Sequence, residues 1–331
     1  MSARALRMGT RASALARAQS GAAAADITRA TGIPIEVVLI RTEGDQLSTE
    51  GRAPGGGDTT GVFVRALDEA LRDGRIDFAI HSLKDVPTET EPDLLLAAVP
   101  RRADVRDGLV VASRHLGGAN GGGGSPAALA DALARVPSGA RLATSSPRRI
   151  AQLLRVRPDL VAVPMAGNVD TRLAKLERGD ADALFLACAG LDRLDRGAVI
   201  THRVETRDFL PAPAQGALAI VCLAKDAATR DALATQEDPA ARITALAERS
   251  VLAALRGGCR APVGTYAELA SGQLRIAARV LSLDGREAVD AEVAGPCAGV
   301  GDAEALGRAA AEELLARGAA RLVDAARRAG P

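Results

Sequence analysis

The apolar positions of this chain keep one rhythm over most of its length and a different one near its end. Residues 35–40, IEVVLI, form a β-branched run that predicts a strand. Residues 63–73 then place Phe63, Ala66, Leu67, Ala70 and Leu71 at helical spacing, with Gly74 as a stop. DFAI at 77–80 predicts a short buried strand. A second block repeats the alternation: LVVAS at 109–113 is a strand, RLATSSPRRIAQLL at 141–154 is strand, turn and helix, and DALFLA at 182–187 and ALAIVCL at 217–223 are buried strands. Such alternation predicts α/β lobes with largely parallel sheets. The last third departs from it. Residues 240–255 predict an amphipathic helix, QLRIAARVLS and EAVDAEVAG predict antiparallel strands around an Asp284-Gly285 turn, and 302–328 predict one closing helix.

The chain has 331 residues, enough for two or three domains. Aromatics are only 2% against a 47% hydrophobic fraction, so the cores are expected to be aliphatic. The 42 basic and 41 acidic residues leave a net charge of +1, which gives no general reason to expect a nucleic-acid or membrane partner. No apolar run is long enough for a membrane span, and no apolar stretch follows Arg4, Arg7 and Arg11 to suggest secretion. Four widely spaced cysteines, Cys188, Cys222, Cys259 and Cys297, fit reduced thiols in a cytoplasm, and three scattered histidines supply no metal-ligand pattern. Cys188 and Cys222 read as core residues. The glycine run at 117–125 reads as a loop without chemistry.

Local clusters carry the candidate chemistry. HSLKDVPT, 81–88, follows a strand directly, and ligands of open α/β sheets sit beyond the carboxyl ends of strands. Lys84 and Asp85 there suit acid/base work on a charged substrate, or equally a solvated surface ion pair. In TSSPRR, 144–149, Ser145 or Ser146 can cap a helix with Pro147 in its first turn. Arg148 and Arg149 then oppose the helix dipole, a local rule broken as functional sites often break one. Guanidinium groups beside helix N–H groups suit carboxylates. GNVDTRL at 167–173 repeats the device with Arg172, capped by Asn168 or Asp170. Arg11 and Ser13 in TRAS, and Arg193 in AGLDRL, also stand near strand ends. Cys259 lies in LRGGCRAPVG, where Arg256 and Arg260 favour a thiolate, although a loop thiol without a role fits the same residues.

TRASALARAQ, HSLKDVPT, ATSSPRRIAQL, GNVDTRLAKL, LACAGLDRL, LPAPAQGALAI and AERSVLAALRGGCRAPVGTYAEL together resemble the porphobilinogen deaminases, or hydroxymethylbilane synthases, in order and spacing from about Leu6 to the C-terminal helix. The resemblance implies two periplasmic-binding-protein-like α/β domains plus a small α+β C-terminal domain. Domain 1 is expected at 1–105 and 217–234, domain 2 at 106–210, and domain 3, with the cysteine loop, at 239–331. It implies a dipyrromethane cofactor held as a thioether on Cys259. Asp85 would be the catalytic carboxylate, holding pyrrole N–H groups and stabilising the cationic azafulvene left as ammonia departs. Lys84, Asp85, Ser146, Arg148 and Arg149 would bind the cofactor, and Arg11, Ser13, Gln19, Arg172 and Arg193 the substrate. Four porphobilinogen molecules would be joined head to tail and released as hydroxymethylbilane by a cytoplasmic monomer.

Two positions depart from the family's pattern. Ala166 stands where an arginine usually precedes Gly-Asn, and Thr60 where a basic residue usually precedes Gly-Val-Phe. Each lost charge-assisted hydrogen bond is worth about 1.5–3 kcal/mol. Arg52 and Arg65 are candidates to compensate. These losses motivate one alternative, a non-catalytic paralogue that binds pyrroles or polycarboxylates. The fold alone would also permit a two-lobed solute-binding protein.

Overall fold

The computed structural model describes residues 4–42, 64–89, 91–116, 124–257 and 261–329. They form two compact units, Met1–Ala103 with Ala217–Arg242, and Asp104–Gly216 with Ile243–Pro331. The chain first lays down β1 (Leu6–Arg11), α1 (Ala14–Thr31), β2 (Ile35–Ile40), α2 (Arg65–Arg72), β3 (Phe78–Ser82) and β4 (Leu94–Ala98). It then builds β5 (Asp107–Val111), β6 (Ser125–Ala127), α3 (Leu129–Leu133), β7 (Arg141–Ala143), α4 (Pro147–Val156), β8 (Val161–Val163), α5 (Val169–Glu177), β9 (Ala183–Ala187), α6 (Cys188–Asp192) and β10 (His202–Val204). It returns through β11 (Leu218–Leu223), α7 (Ala227–Leu233) and α8 (Pro239–Ala254). It ends in β12 (Val263–Ala270), β13 (Gln273–Leu281), β14 (Ala288–Pro296), α9 (Val300–Ala316) and α10 (Ala319–Arg328).

The first unit holds a five-stranded sheet in the order β2-β1-β3-β11-β4. β1, β2 and β3 are parallel, whereas β11 runs antiparallel to both of its neighbours. Four of the five strands share one direction, in line with the expectation of a largely parallel sheet, and β11, which belongs to the returning chain, runs the other way. Met8, Ile27, Phe78, Ile80, Ile220 and Leu233 fill the core. Ser13 starts α1 by accepting a hydrogen bond from the Ala16 amide at 3.2 Å, and Gly32 ends it in the left-handed conformation.

The second unit holds two sheets with separate cores. Its six-stranded sheet runs β6-β10-β5-β9-β7-β8, with β7, β8 and β9 parallel and β5 antiparallel to β9 and β10. Phe185 and Leu109 pack on one face, Leu184 and Leu176 on the other, which explains why DALFLA reads as an unbroken apolar run. The second sheet is the antiparallel meander β12-β13-β14, packed against α8, α9 and α10. The single closing helix expected at 302–328 is two helices. Gly318 at φ 92° breaks the ladder, because a left-handed residue cannot continue an α-helix.

The turn between β13 and β14 closes with Ser282 donating to the Glu287 carbonyl and Gly285, at φ 73°, donating to Ser282. Gly285 also lies against α4, where a β-carbon would overlap the Ala151 carbonyl oxygen. The β13–β14 turn therefore meets α4 at a contact that only glycine permits. Gly285→Ala should cost at least 1 kcal/mol more, by urea unfolding, than Gly139→Ala. Gly139 is also left-handed, at φ 68°, but has nothing within 4 Å of an added β-carbon, so it carries only the conformational strain of about 1–2 kcal/mol. Equal losses would remove the packing explanation.

Candidate functional site

In the first unit the parallel strands β1 and β3 end side by side. Arg11 is the last residue of β1 and Ser13 caps the helix that follows. β3 runs into a single 3₁₀ turn, Leu83–Asp85. Leu83 is buried and its amide donates to the Ala217 carbonyl at 3.0 Å, which ties the turn to the strand beside it. Lys84 is half-buried, and Asp85 is exposed with no hydrogen-bond or ion-pair partner among the described residues. Gln19 is buried on α1 and accepts from the Ser82 hydroxyl at 3.4 Å. His81, which the sequence reading passed over, is 5% exposed, and its Nε2 has no partner among the described residues. Burial, with a smaller contribution from the Arg11 charge, pushes its pKa down to about 4.

In the second unit β7, β8 and β9 are parallel, so α4, α5 and α6 begin along one edge of the sheet. Ser146 occupies the cap position of α4 without a side-chain hydrogen bond to the helix, and Pro147 opens the first turn. The Ser145 hydroxyl instead accepts from the Met165 amide at 3.3 Å, stitching the loops after β7 and β8 together. Asn168 caps α5 by accepting from the Thr171 amide at 2.9 Å.

Arg148 and Arg149, expected as open cations at the start of α4, are 4% and 8% exposed. Both face Asp107, which is fully buried: Arg149 reaches it at 2.6 Å and Arg148 at 2.8 Å. Arg148 also donates to the Leu210 carbonyl and Arg149 to the Phe185 carbonyl. Burial lowers the Arg148 pKa from its ordinary value, and the Asp107 charge opposes that shift. The triad therefore carries one net positive charge rather than two. Arg172 and Arg193 are different. Each is half-buried, and neither has a carboxylate partner among the described residues. Arg172 donates through Nε to the Gly167 carbonyl at 2.8 Å, and Arg193 to the Gly216 carbonyl at 2.8 Å. Burial lowers the pKa of both, with the Arg149 charge adding to the shift at Arg172.

Three further side chains missed by the sequence reading fix the frame. The Gln152 amide donates to the Leu210 carbonyl and accepts from its N–H. Gln215 donates to the Val105 carbonyl at 2.8 Å. Glu248, fully buried on α8, accepts from the Ala214 and Ala267 amides. Asp107 alone had left a sign, a charged residue opening the apolar strand DGLVV. Cys188, Cys222 and Cys297 are buried. α8 leads into Arg256, at φ 48°, and a buried Gly257. Cys259 and Arg260 lie outside the described residues, as do Arg52, Thr60 and 117–123 of the glycine run. Arg65 is exposed at the start of α2. Among the described residues no group of three or more His, Cys, Asp and Glu side chains could hold a metal ion, and no helix is long and apolar enough to cross a membrane.

Two measurements probe this framework. Asp107→Asn leaves two buried guanidinium groups without a counter-charge and should cost about 3–5 kcal/mol in chemical denaturation. A loss below 1 kcal/mol would show the triad to be incidental. His81 is held neutral, so its folded-state pKa lies below the unfolded value of 6.5. The stability this confers is present above that value and is lost as pH falls from 6.5 toward 4, by roughly 3 kcal/mol at most. His81→Gln should flatten the loss between pH 6.5 and 4.5, and an unchanged pH dependence would contradict this assignment.

Family models place these residues in a known context. The porphobilinogen deaminase dipyrromethane cofactor binding domain matches residues 6–231, and the porphobilinogen deaminase C-terminal domain matches 242–316. "Porphobilinogen deaminase 1" of Streptomyces coelicolor is 44% identical, covering 98% of each chain. "Porphobilinogen deaminase" of Corynebacterium diphtheriae is 42% identical over 96% of this chain and 99% of its own. Among solved structures, a periplasmic substrate-binding protein of an ABC transporter from Coxiella burnetii superposes with TM-score 0.39 at 14% identity, covering 71% of this chain and 93% of that one. Matched by both domain models and by near-full-length relatives of that name, the chain belongs to the porphobilinogen deaminase family, transferases whose larger region binds dipyrromethane.

Proposed function

We propose that this chain joins four porphobilinogen molecules head to tail with loss of ammonia and releases hydroxymethylbilane, working from a primer bonded to Cys259. The observation that carries the reading is the state of the charged residues at the strand ends. Among the described residues, Arg172 and Arg193 are half-buried cations without carboxylate partners, and Asp85 is a carboxylate without a cation. Half-buried guanidinium groups left unpaired in this way suit the acetate and propionate groups of pyrrole ligands.

The same features fit dipyrromethane. The Ser146 hydroxyl and the start of α4 would bind its carboxylates, as would Lys84, and Asp85 would bind its pyrrole N–H groups. Arg148 and Arg149 would act mainly by shaping that turn, because Asp107 holds them inside. When bound, dipyrromethane supplies the nucleophilic pyrrole carbon to which the first substrate is joined. Arg11, Ser13, Gln19, Arg172 and Arg193 would orient the incoming substrate. Asp85 would accept hydrogen bonds from pyrrole N–H groups and hold its charge beside the cation left when the aminomethyl C–N bond breaks. In this reading 239–331 is the domain that presents the cysteine loop, and the protein works as a cytoplasmic monomer without a nucleic-acid partner. The net charge of +1 supports the last point.

Intact mass and turnover test the reading together. Protein incubated with porphobilinogen should exceed its sequence mass by one dipyrromethane unit, and Cys259→Ser protein should not. Asp85→Asn should keep the added mass and lose about 10²–10³ in kcat. A chain at its bare sequence mass, or an Asp85→Asn variant within threefold of the parent, would contradict it.

A further inference from the structure

α6 has only five residues, Cys188–Asp192, too few to hold their shape without tertiary anchors. Both of its ends are tied to one short segment, 104–106. At the start, the Cys188 amide donates to the Arg106 carbonyl at 3.0 Å. At the end, Arg203 of β10 grips the Asp192 carboxylate, donating through Nη2 at 2.6 Å and through Nη1 at 2.8 Å. The same Nη1 donates to Asp104 at 2.7 Å. Asp104 is held in turn by the Arg106 side chain at 2.9 Å and by the Arg106 amide at 3.0 Å. Arg203 therefore closes a ring of contacts around α6. A two-pronged guanidinium–carboxylate pair of this kind fixes orientation as well as distance. The turn after α6 packs directly on it, since a β-carbon at Gly197 would lie 2.7 Å from Asp192 Oδ1.

Arg193 is the residue that follows Asp192 and ends α6. The two guanidinium groups of Arg106 and Arg203 balance the two carboxylates of Asp104 and Asp192, so the Arg193 charge is not consumed in the ring. Arg193 donates to the Gly216 carbonyl and has no carboxylate partner among the described residues. A binding cation on so short a helix is placed only as well as the helix end that carries it. We propose that Arg203 is a positioning residue for Arg193: by holding Asp192 it fixes the end of α6 from which Arg193 reaches a substrate carboxylate. This inference rests on the function proposed above and deepens it. Arg203 itself lies between LACAGLDRL and LPAPAQGALAI, outside the stretches that carry the resemblance.

The test is a double-mutant cycle in enzyme carrying its primer. Arg203→Gln should raise the KM for porphobilinogen about tenfold with kcat within about threefold of the parent, as loss of a binding contact does. In an Arg193→Gln background the same change should move KM by less than about twofold, because the residue it acts through is gone. An unchanged KM in Arg203→Gln overturns the proposal. So does an equal rise in both backgrounds, which would assign Arg203 to the fold alone. Should Arg203→Gln fail to fold, Asp192→Ala, which spares the pair between Arg203 and Asp104, is judged in the same two backgrounds by the same criteria. If the parent does not turn over porphobilinogen, the function reading fails instead. The hold on α6 is then read by amide hydrogen exchange over 189–194, which should quicken at least about tenfold in Arg203→Gln. Unchanged exchange there overturns it.

Discussion

Asp107 is a carboxylate with no access to solvent, set at the first residue of β5 between the guanidinium groups of Arg148 and Arg149. Removing such a charge from water costs several kcal/mol, and only close, well-bonded partners offset that cost. Here the partners are consecutive residues of the first turn of α4, so the pairing fixes the position of the whole turn. Their remaining donors reach the Leu210 and Phe185 carbonyls, and Gln152, one turn further along, closes on both backbone groups of Leu210. The start of α4 is thereby joined to β5, to β9 and to the segment leading out of β10. With two cations neutralised in part and locked in place, Ser146 and the first amides of α4 have a rigid support. Arg172 and Arg193, by contrast, are half-buried and have no carboxylate partner among the described residues.

A second constraint lies where the chain passes back between the units. Gly216 and Ala217 are adjacent in sequence and fall on either side of the boundary. The Gly216 carbonyl accepts from Arg193, and the Ala217 carbonyl accepts from Leu83, two residues before Asp85. Consecutive peptide groups therefore hold Arg193 within the second unit and the Leu83–Asp85 turn within the first. Within the second unit the approach to this point is held by Glu248 at Ala214 and by Gln215 at Val105.

Burial on one or both faces of an element writes its period into the sequence, so the strands at 35–40, 182–187 and 217–223 and the helix at 240–255 were all readable, as were the strand-end loops that carry Lys84, Ser146 and Arg172. Strand direction leaves no such mark. The antiparallel course of β11 follows from the path of the chain between units, which no local pattern records. The break at Gly318 was hidden because the apolar spacing continues across it while only the backbone reverses hand. The candidate site shows the same division. Arg148 and Arg149 stood out by opposing the helix dipole, but the residue that pairs with them, Asp107, lies far earlier in the chain. A pairing of that range is invisible to neighbour-by-neighbour reading.

The central claim is that this protein grows a pyrrole chain from Cys259, with Arg172 and Arg193 binding its carboxylates and Asp85 binding its pyrrole N–H groups. Its most direct test is a crystal structure of the loaded protein after reaction with porphobilinogen. The account predicts continuous density from the Cys259 sulfur into a pyrrole chain, with carboxylates within about 4 Å of Arg172 or Arg193 and a pyrrole nitrogen within hydrogen-bond distance of Asp85. A free Cys259 thiol, or a bound chain whose carboxylates lie away from both cations, would contradict it.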